Sequence, residues 1–240
     1  MNKTMIIVGA GEGISMAAAK KFGKEGYSVA LIARRKEALD QYVSELAEDG
    51  VEAKGFQGDA SDENSLSEAI SAAIEMFGSV HVLLYNAAAG TPGKPTSLTA
   101  DDLTRDFSVS VGGALTSVKA VLPAMEKTGG GSILLTGGGL ALHPYADYSS
   151  LAIGKAGIRN LAYSLSQELE PKGIYVGTLT IKGFVQEGTN FSSKNIAERY
   201  FQMHAEKRNL RLFLKGNNQR SRLSDCRAAF FKNLLIHGLE

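Results

Sequence analysis

Residues 9–15 read Gly9-Ala10-Gly11-Glu12-Gly13-Ile14-Ser15. Glycines at positions 9, 11 and 13 let a backbone turn sharply and come close to a bulky anion. The loop follows an apolar run, residues 5–8, and precedes apolar residues at helical spacing, 14–25. A strand, a glycine turn and a helix N-terminus together offer free N–H groups and the positive end of a helix dipole to a pyrophosphate. A glycine loop alone is a weak signal, and its place between a first strand and a first helix gives it weight. The competing reading is an ordinary tight strand–helix turn.

The elements that would position this loop repeat along the chain. Continuous apolar runs at 5–8, 28–33, 51–56, 80–85, 132–136 and 174–181 read as strands buried on both faces. Helical patterns fill 14–25, 36–48, 61–77, 107–127 and 151–170. Gly26 and Gly50 sit where C-caps belong, and Thr99-Ala100-Asp101-Asp102 resembles a capped helix start. Pro171 and Gly173 stop the helix before the sixth strand. Repeated β-α-β units with short connections imply an α/β fold: a doubly wound parallel sheet of Rossmann type, layered α/β/α.

Bulk properties bound the function. The chain has 240 residues, enough for one such domain and short for two. A formal net charge of +1 gives no reason to expect nucleic acid or an anionic membrane as partner. The apolar runs read as strands and amphipathic helices, not as the roughly 20 residues that cross a bilayer. A single cysteine, Cys226, suggests neither a disulfide nor a metal cluster and fits a cytoplasmic setting. Basic residues gather at the end: eight Lys and Arg against two acids from Lys207 onward, leaving 18 basic and 23 acidic residues before it. Residues 210–214 and 225–236 read there as a last strand and a docked helix, with polyanion binding the lesser reading because the charges are scattered.

The spacing of Gly9 and Gly13, three residues apart, resembles the Gly-x-x-x-Gly-x-Gly loop of the short-chain dehydrogenase/reductase family, with Ser15 at the third glycine. Further landmarks line up in order across residues 4–190. Asp59-Ala60 resembles the family's adenine-contacting segment. Asn86-Ala87-Ala88 resembles its Asn-Asn-Ala-Gly motif, with Tyr85 for the first Asn. Lys155-Ala156-Gly157 resembles the helix of the active-site lysine. Ile181-Lys182-Gly183-Phe184-Val185 resembles the last part of the cofactor site, with Lys182 in place of proline. The resemblance implies a nicotinamide cofactor held by Gly9, Gly11, Gly13, Ile14, Asp59, Ala60, Asn86, Ala87, Lys155, Gly183 and Val185. Residues 1–190 would hold cofactor and active site, and 191–240 a flap helix and basic tail of the same domain. A homodimer or homotetramer is implied too.

The end of the second strand speaks to the cofactor's identity. An acid there binds the ribose 2′-OH of NAD. This chain has Arg34-Arg35, and a guanidinium pairs with a 2′-phosphate where an acid would repel it. Arg34, helped by Arg35, therefore points to NADP(H) over NAD(H). Glu12 counts mildly against this, and solvation of a helix start is the plain alternative for both arginines.

The catalytic pattern is broken. The family's chemistry uses a tyrosine as general acid, a serine that holds the carbonyl, a lysine that lowers the tyrosine pKa and an asparagine on the middle helix. Only Lys155 matches. Counting back four residues gives Leu151; the serine position falls on Gly138 and the asparagine position on Ser110. General acid catalysis contributes roughly 10²–10⁴-fold and an oxyanion donor roughly 10²–10³-fold, so both losses bear on the rate. Tyr148, seven residues before Lys155, is the first substitute acid and Tyr145 the second; His143, Tyr85 and Thr136 are nearby. For each alone, packing is the plainer role.

The segment 189–207 resembles the family's flap over the substrate, although Phe191, Tyr200, Phe201 and Met203 fit a packed helix stripe equally well. These readings favour an NADP(H)-dependent oxidoreductase acting on a small carbonyl or alcohol with non-standard catalytic residues. The rival is a catalytically silent NADP(H)-binding sensor or subunit. A third reading has Glu12, Ser15 and Tyr85 abolishing cofactor binding altogether.

Overall fold

The computed structural model describes residues 3–207 and 211–214. Seven strands form one parallel sheet in the order β3-β2-β1-β4-β5-β6-β7. They are β1 (Lys3–Val8), β2 (Tyr27–Ala33), β3 (Ala53–Gln57), β4 (Val82–Tyr85), β5 (Gly131–Gly138), β6 (Ile174–Ile181) and β7 (Arg211–Leu214). Continuous apolar sequence meets burial on both faces: Met5, Ile6 and Ile7, and likewise Leu83 and Leu84, are fully enclosed.

Helices cover both faces. One layer comprises α1 (Ile14–Lys24), α2 (Lys36–Glu48) and α7 (Ser193–Glu206), packed through Phe22, Leu39, Leu46 and Ile196. The other comprises α3 (Glu63–Phe77), α5 (Gly113–Lys127) and α6 (Ser149–Leu169), packed through Leu66, Ile70, Val121 and Ile158. The chain winds outward from β1 to β3, then crosses to β4 on the other side of β1. That reversal opens a crevice at the C-terminal ends of β1 and β4, where ligands bind in open α/β sheets. Gly9 and Asn86 are the residues immediately beyond those two ends.

The capped start expected at Thr99 is present, and the middle helix runs on from it instead of starting near 107. It begins at residue 100 rather than 107, because Thr99 and Asp102 complete a capping box that starts α4 (Ala100–Phe107). A π turn, Ser108–Gly112, joins α4 to α5. By length and composition the merged span Ala100–Lys127 contains a window apolar enough to cross a membrane, contrary to the sequence reading. Its Ala114, Val118, Val121 and Met125 are instead buried in the core beside the sheet.

The expected flap is a docked helix. Ile196, Ala197, Tyr200 and Met203 of α7 are at most 3% exposed. Phe201 stacks edge-on against Phe22 at 5.3 Å. Burying a large apolar side chain contributes about 1.5–3 kcal/mol, so this stripe holds α7 against α1. The last strand lies at 211–214, paired parallel to β6. The expected helix 225–236 and Cys226 lie outside the described residues.

Candidate active site

The glycine loop is tied to β2. The N–H groups of Gly9 and Ala10 both donate to the Ile32 carbonyl at 3.0 Å. Gly9 has φ 83°, and a Cβ there would stand 2.4 Å from the Ala87 nitrogen. Only glycine fits so close to the β4 loop in that conformation. Gly13 (φ 81°) leads into α1 with no side-chain cap, and a Cβ on Gly11 would meet nothing within 4 Å. The first-turn amides at Ile14 and Ser15 therefore face an open cradle with the positive end of the helix behind them.

Ser15 leaves that cradle intact. Its hydroxyl is fully buried, donates to the Gly9 carbonyl at 2.8 Å and accepts from Asn86 Nδ2 at 3.0 Å. Asn86 also donates its backbone N–H to the Val8 carbonyl. Glu12 is exposed. Tyr85, a candidate acid, points away from the crevice. It is 1% exposed and donates to the Val109 carbonyl within the π turn. Burial, with the Asp59 charge adding, pushes its pKa up. The chain has room for this because Gly113 lacks a side chain: a Cβ there would meet the Tyr85 hydroxyl and the Ala60 carbonyl at 2.4 Å.

Arg34 and Arg35 are exposed where β2 ends, two and three residues past the Ile32 tether. Neither forms an ion pair among the described residues. The Arg34 carbonyl accepts from Gln57 Nε2 at 2.9 Å, fixing its backbone while leaving the guanidinium free to reach. Asp59 Oδ1 accepts from the Ser61 N–H and hydroxyl, and Asp59 N–H donates to Ser65 Oγ. One carboxylate oxygen holds the turn and the other remains for a ligand. Gly183 lies under Phe191, whose ring a Cβ at 183 would strike at 2.4 Å, with Val185 two residues on. An uncapped anion cradle with two unpaired cations at its rim suits a phosphorylated dinucleotide.

Lys155 donates to the Thr136 carbonyl at 2.9 Å. Burial of its ammonium, with no carboxylate to offset it, lowers its pKa to about 8. At Gly138, the expected serine position, a Cβ would lie 3.3 Å from Lys155 Cγ, so the lysine stem borders that site. At the tyrosine position, Leu151 packs on Gly90, its Cβ 2.7 Å from where a Cβ would stand. At the asparagine position, Ser110 Oγ accepts from the Ala89 N–H at 3.1 Å and is 1% exposed, so it shapes the β4 loop. Buried Asp106 braces the same loop, accepting from the Thr91 N–H and the Ser150 hydroxyl.

The substitute acids His143, Tyr145 and Tyr148 sit in the segment between β5 and α6. Tyr145 is 52% exposed and His143 is exposed. Tyr148 is half-buried at the N-cap of α6. Its backbone carbonyl accepts from the Ala152 N–H at 2.9 Å, which ties it to the first turn of α6. Thr136 is already engaged: its hydroxyl meets Asn86 Oδ1 at 2.8 Å and the Tyr200 hydroxyl at 2.7 Å. Sequence reading missed this role for Tyr200, because helical spacing shows that a residue faces inward and not which polar atom it meets. A cavity of about 500 Å³, lined by Leu98, Leu103, Leu140, Pro144, Ile153 and Ala156, opens on an adjacent flank of α6. Among the described residues no group of His, Cys, Asp or Glu is arranged to hold a metal.

Comparison with known proteins follows the same lines. A family model described as short chain dehydrogenase matches residues 3–197. Oxidoreductase asL5 of Sarocladium schorii is 31% identical over 209 residues, spanning 87% of this chain and 82% of that protein. Dehydrogenase/reductase SDR family member 4 of Sus scrofa is 30% identical over 195 residues, spanning 80% of this chain and 68% of that protein. Among solved structures, the alcohol dehydrogenase from the archaeon Thermococcus sibiricus complexed with 5-hydroxy-NADP aligns with a TM-score of 0.80 and 25% identity, over 92% of this chain and 99% of that one.

Proposed function

The chain belongs to the short chain dehydrogenase family, and from that premise we propose that it is an NADP(H)-dependent oxidoreductase that interconverts a small carbonyl compound and its alcohol. The observation that carries the cofactor assignment is the unpaired Arg34-Arg35 rim beside the glycine loop, where an acid would mark NAD(H). The 5-hydroxy-NADP complex of the Thermococcus relative supports it.

When bound, NADP(H) supplies or takes up the hydride. The amides of Gly11, Gly13 and Ile14 would receive the pyrophosphate, and Arg34 with Arg35 would pair the 2′-phosphate. Asp59, Ala60, Asn86 and Ala87 would line the nucleoside side, and Gly183 with Val185 would hold the far end. With no hydroxyl at Gly138 or Leu151, the proton step passes to Lys155. An amine titrating near 8 can donate to a carbonyl oxygen as hydride arrives, and its neutral form can take the proton back in the reverse direction. Tyr148 and then Tyr145 are the next candidates for that proton.

We place the enzyme in the cytoplasm as a homodimer or homotetramer acting on a free small molecule. Phe107 and Ile153, each more than 40% exposed on neighbouring helices, offer an apolar face for assembly. The reading is tested by titrating NADPH and NADH into the full chain and assaying a carbonyl panel with the tighter nucleotide. Preference for NADPH with measurable turnover supports it. Preference for NADH overturns the cofactor assignment, and binding without turnover overturns the activity.

A further inference from the structure

We propose that Tyr200 is a positioning residue of the nucleotide site, the buried origin of a one-way hydrogen-bond chain that fixes the pyrophosphate loop and, through the same threonine, Lys155. The inference rests on the proposed nucleotide reading of that loop.

The polarity of the chain follows from what each group can do. Asn86 Oδ1 only accepts, so the single proton of the Thr136 hydroxyl is committed to it at 2.8 Å. The Tyr200 hydroxyl must therefore donate to Thr136 at 2.7 Å. On its other side Asn86 Nδ2 donates to Ser15 Oγ at 3.0 Å, and Ser15 donates to the Gly9 carbonyl at 2.8 Å. The path links α7, β5, the β4 loop and the glycine loop, with partners as far apart as 71 positions in sequence. It ends on Gly9, whose positive φ and contact with Ala87 set the entry into the cradle.

The hydroxyl does more than pack. Ile196, Ala197 and Met203 already dock α7, and phenylalanine would fill the space of Tyr200 equally well. A fully buried phenol costs desolvation free energy unless its proton is placed, and here the partner is Thr136. Thr136 is also a fork: its hydroxyl serves Asn86 while its carbonyl holds the Lys155 ammonium at 2.9 Å. Gly138, which borders the lysine stem, offers it no hydroxyl. Tyr200 reaches the lysine through Thr136, and through Asn86 and Ser15 it reaches the Gly9 turn.

The test is a double-mutant cycle in the full chain. Tyr200→Phe, Ser15→Ala and the double variant are titrated with NADPH by calorimetry, and each is unfolded in urea. Each single variant weakens NADPH binding about five- to tenfold, and the double variant weakens it no more than the worse single. Tyr200→Phe that lowers the urea midpoint yet binds NADPH within about twofold of wild type marks a merely structural hydroxyl and overturns the proposal; so do additive effects. If Tyr200→Phe does not fold, Thr136→Ser against Thr136→Val decides. Serine keeps the forked hydroxyl and retains more affinity than valine, and equal affinities overturn the proposal. Wild-type protein that binds neither NADPH nor NADH overturns this and the nucleotide reading together. Tight wild-type binding with an unaffected Tyr200→Phe overturns this proposal alone.

Discussion

Lys155 gives its ammonium hydrogen bond to the Thr136 carbonyl and, among the described residues, forms no ion pair, and burial lowers its pKa to about 8. Carbonyl reduction should therefore slow as pH rises through about 8, where the donor form is lost, and alcohol oxidation should speed up over the same range. A reductase profile flat from pH 7 to 9 would remove Lys155 from the proton step. The same burial penalises the charged amine in the fold at neutral pH. Lys155→Met should abolish turnover while leaving Tm at pH 7 unchanged or raised in thermal melts, because the fold disfavours the charged amine.

Arg34 stands unpaired at the rim, and a bidentate charge-assisted pair is among the stronger hydrogen bonds. Arg34→Asp should weaken NADPH binding roughly 10- to 100-fold and leave NADH unchanged or tighter. Equal losses for both nucleotides would show that Arg34 acts on something other than the 2′-phosphate.

Gly138 borders the Lys155 stem closely enough that a serine Cβ enters with a shift of a few tenths of an ångström. Gly138→Ser combined with Leu151→Tyr should raise reductase turnover at least about tenfold, because both an oxyanion donor and an acid are restored. Unchanged turnover, with NADPH affinity intact, would mean that the substrate does not reach that side of Lys155.

His204 lies between Tyr27 and Ser132, its Nε2 2.6 Å from the tyrosine hydroxyl and its Nδ1 2.8 Å from the serine hydroxyl. Burial lowers its pKa to about 4, and the charges of Lys207, Lys3 and His81 act in the same direction. The folded value lies below the ordinary histidine value of 6.5, so the contribution is full above pH 6.5 and lost as pH falls toward 4. Thermal melts should show Tm declining across that window, and His204→Gln should flatten the decline. A variant that declines as steeply as wild type would assign the acid sensitivity elsewhere.

Much of the protein was legible without coordinates. Apolar runs of strand length alternating with helical stripes specify a parallel sheet, because each period places its apolar atoms on particular faces. The Gly9 and Gly13 spacing marked the sharp strand–helix turn because positive φ is a local demand that glycine meets alone. That Gly138 and Leu151 carry no hydroxyl was equally plain, although assigning them to the serine and tyrosine places rests on the resemblance. Partnership was not. Tyr85 flanks the Asn86 motif in sequence but faces the core, because alternate residues of a strand point to opposite faces and a π turn waits to receive its hydroxyl. Ser15 looked like damage to the loop and proved to be its tie to Asn86. Tyr200 and Thr136 are 64 positions apart, and no local period can say that two inward-facing hydroxyls will meet. Local sequence determined which elements form and where the chain must bend. Only the packing of α7 on the sheet decided which buried polar groups share a proton, because that depends on the distance between elements far apart in the chain.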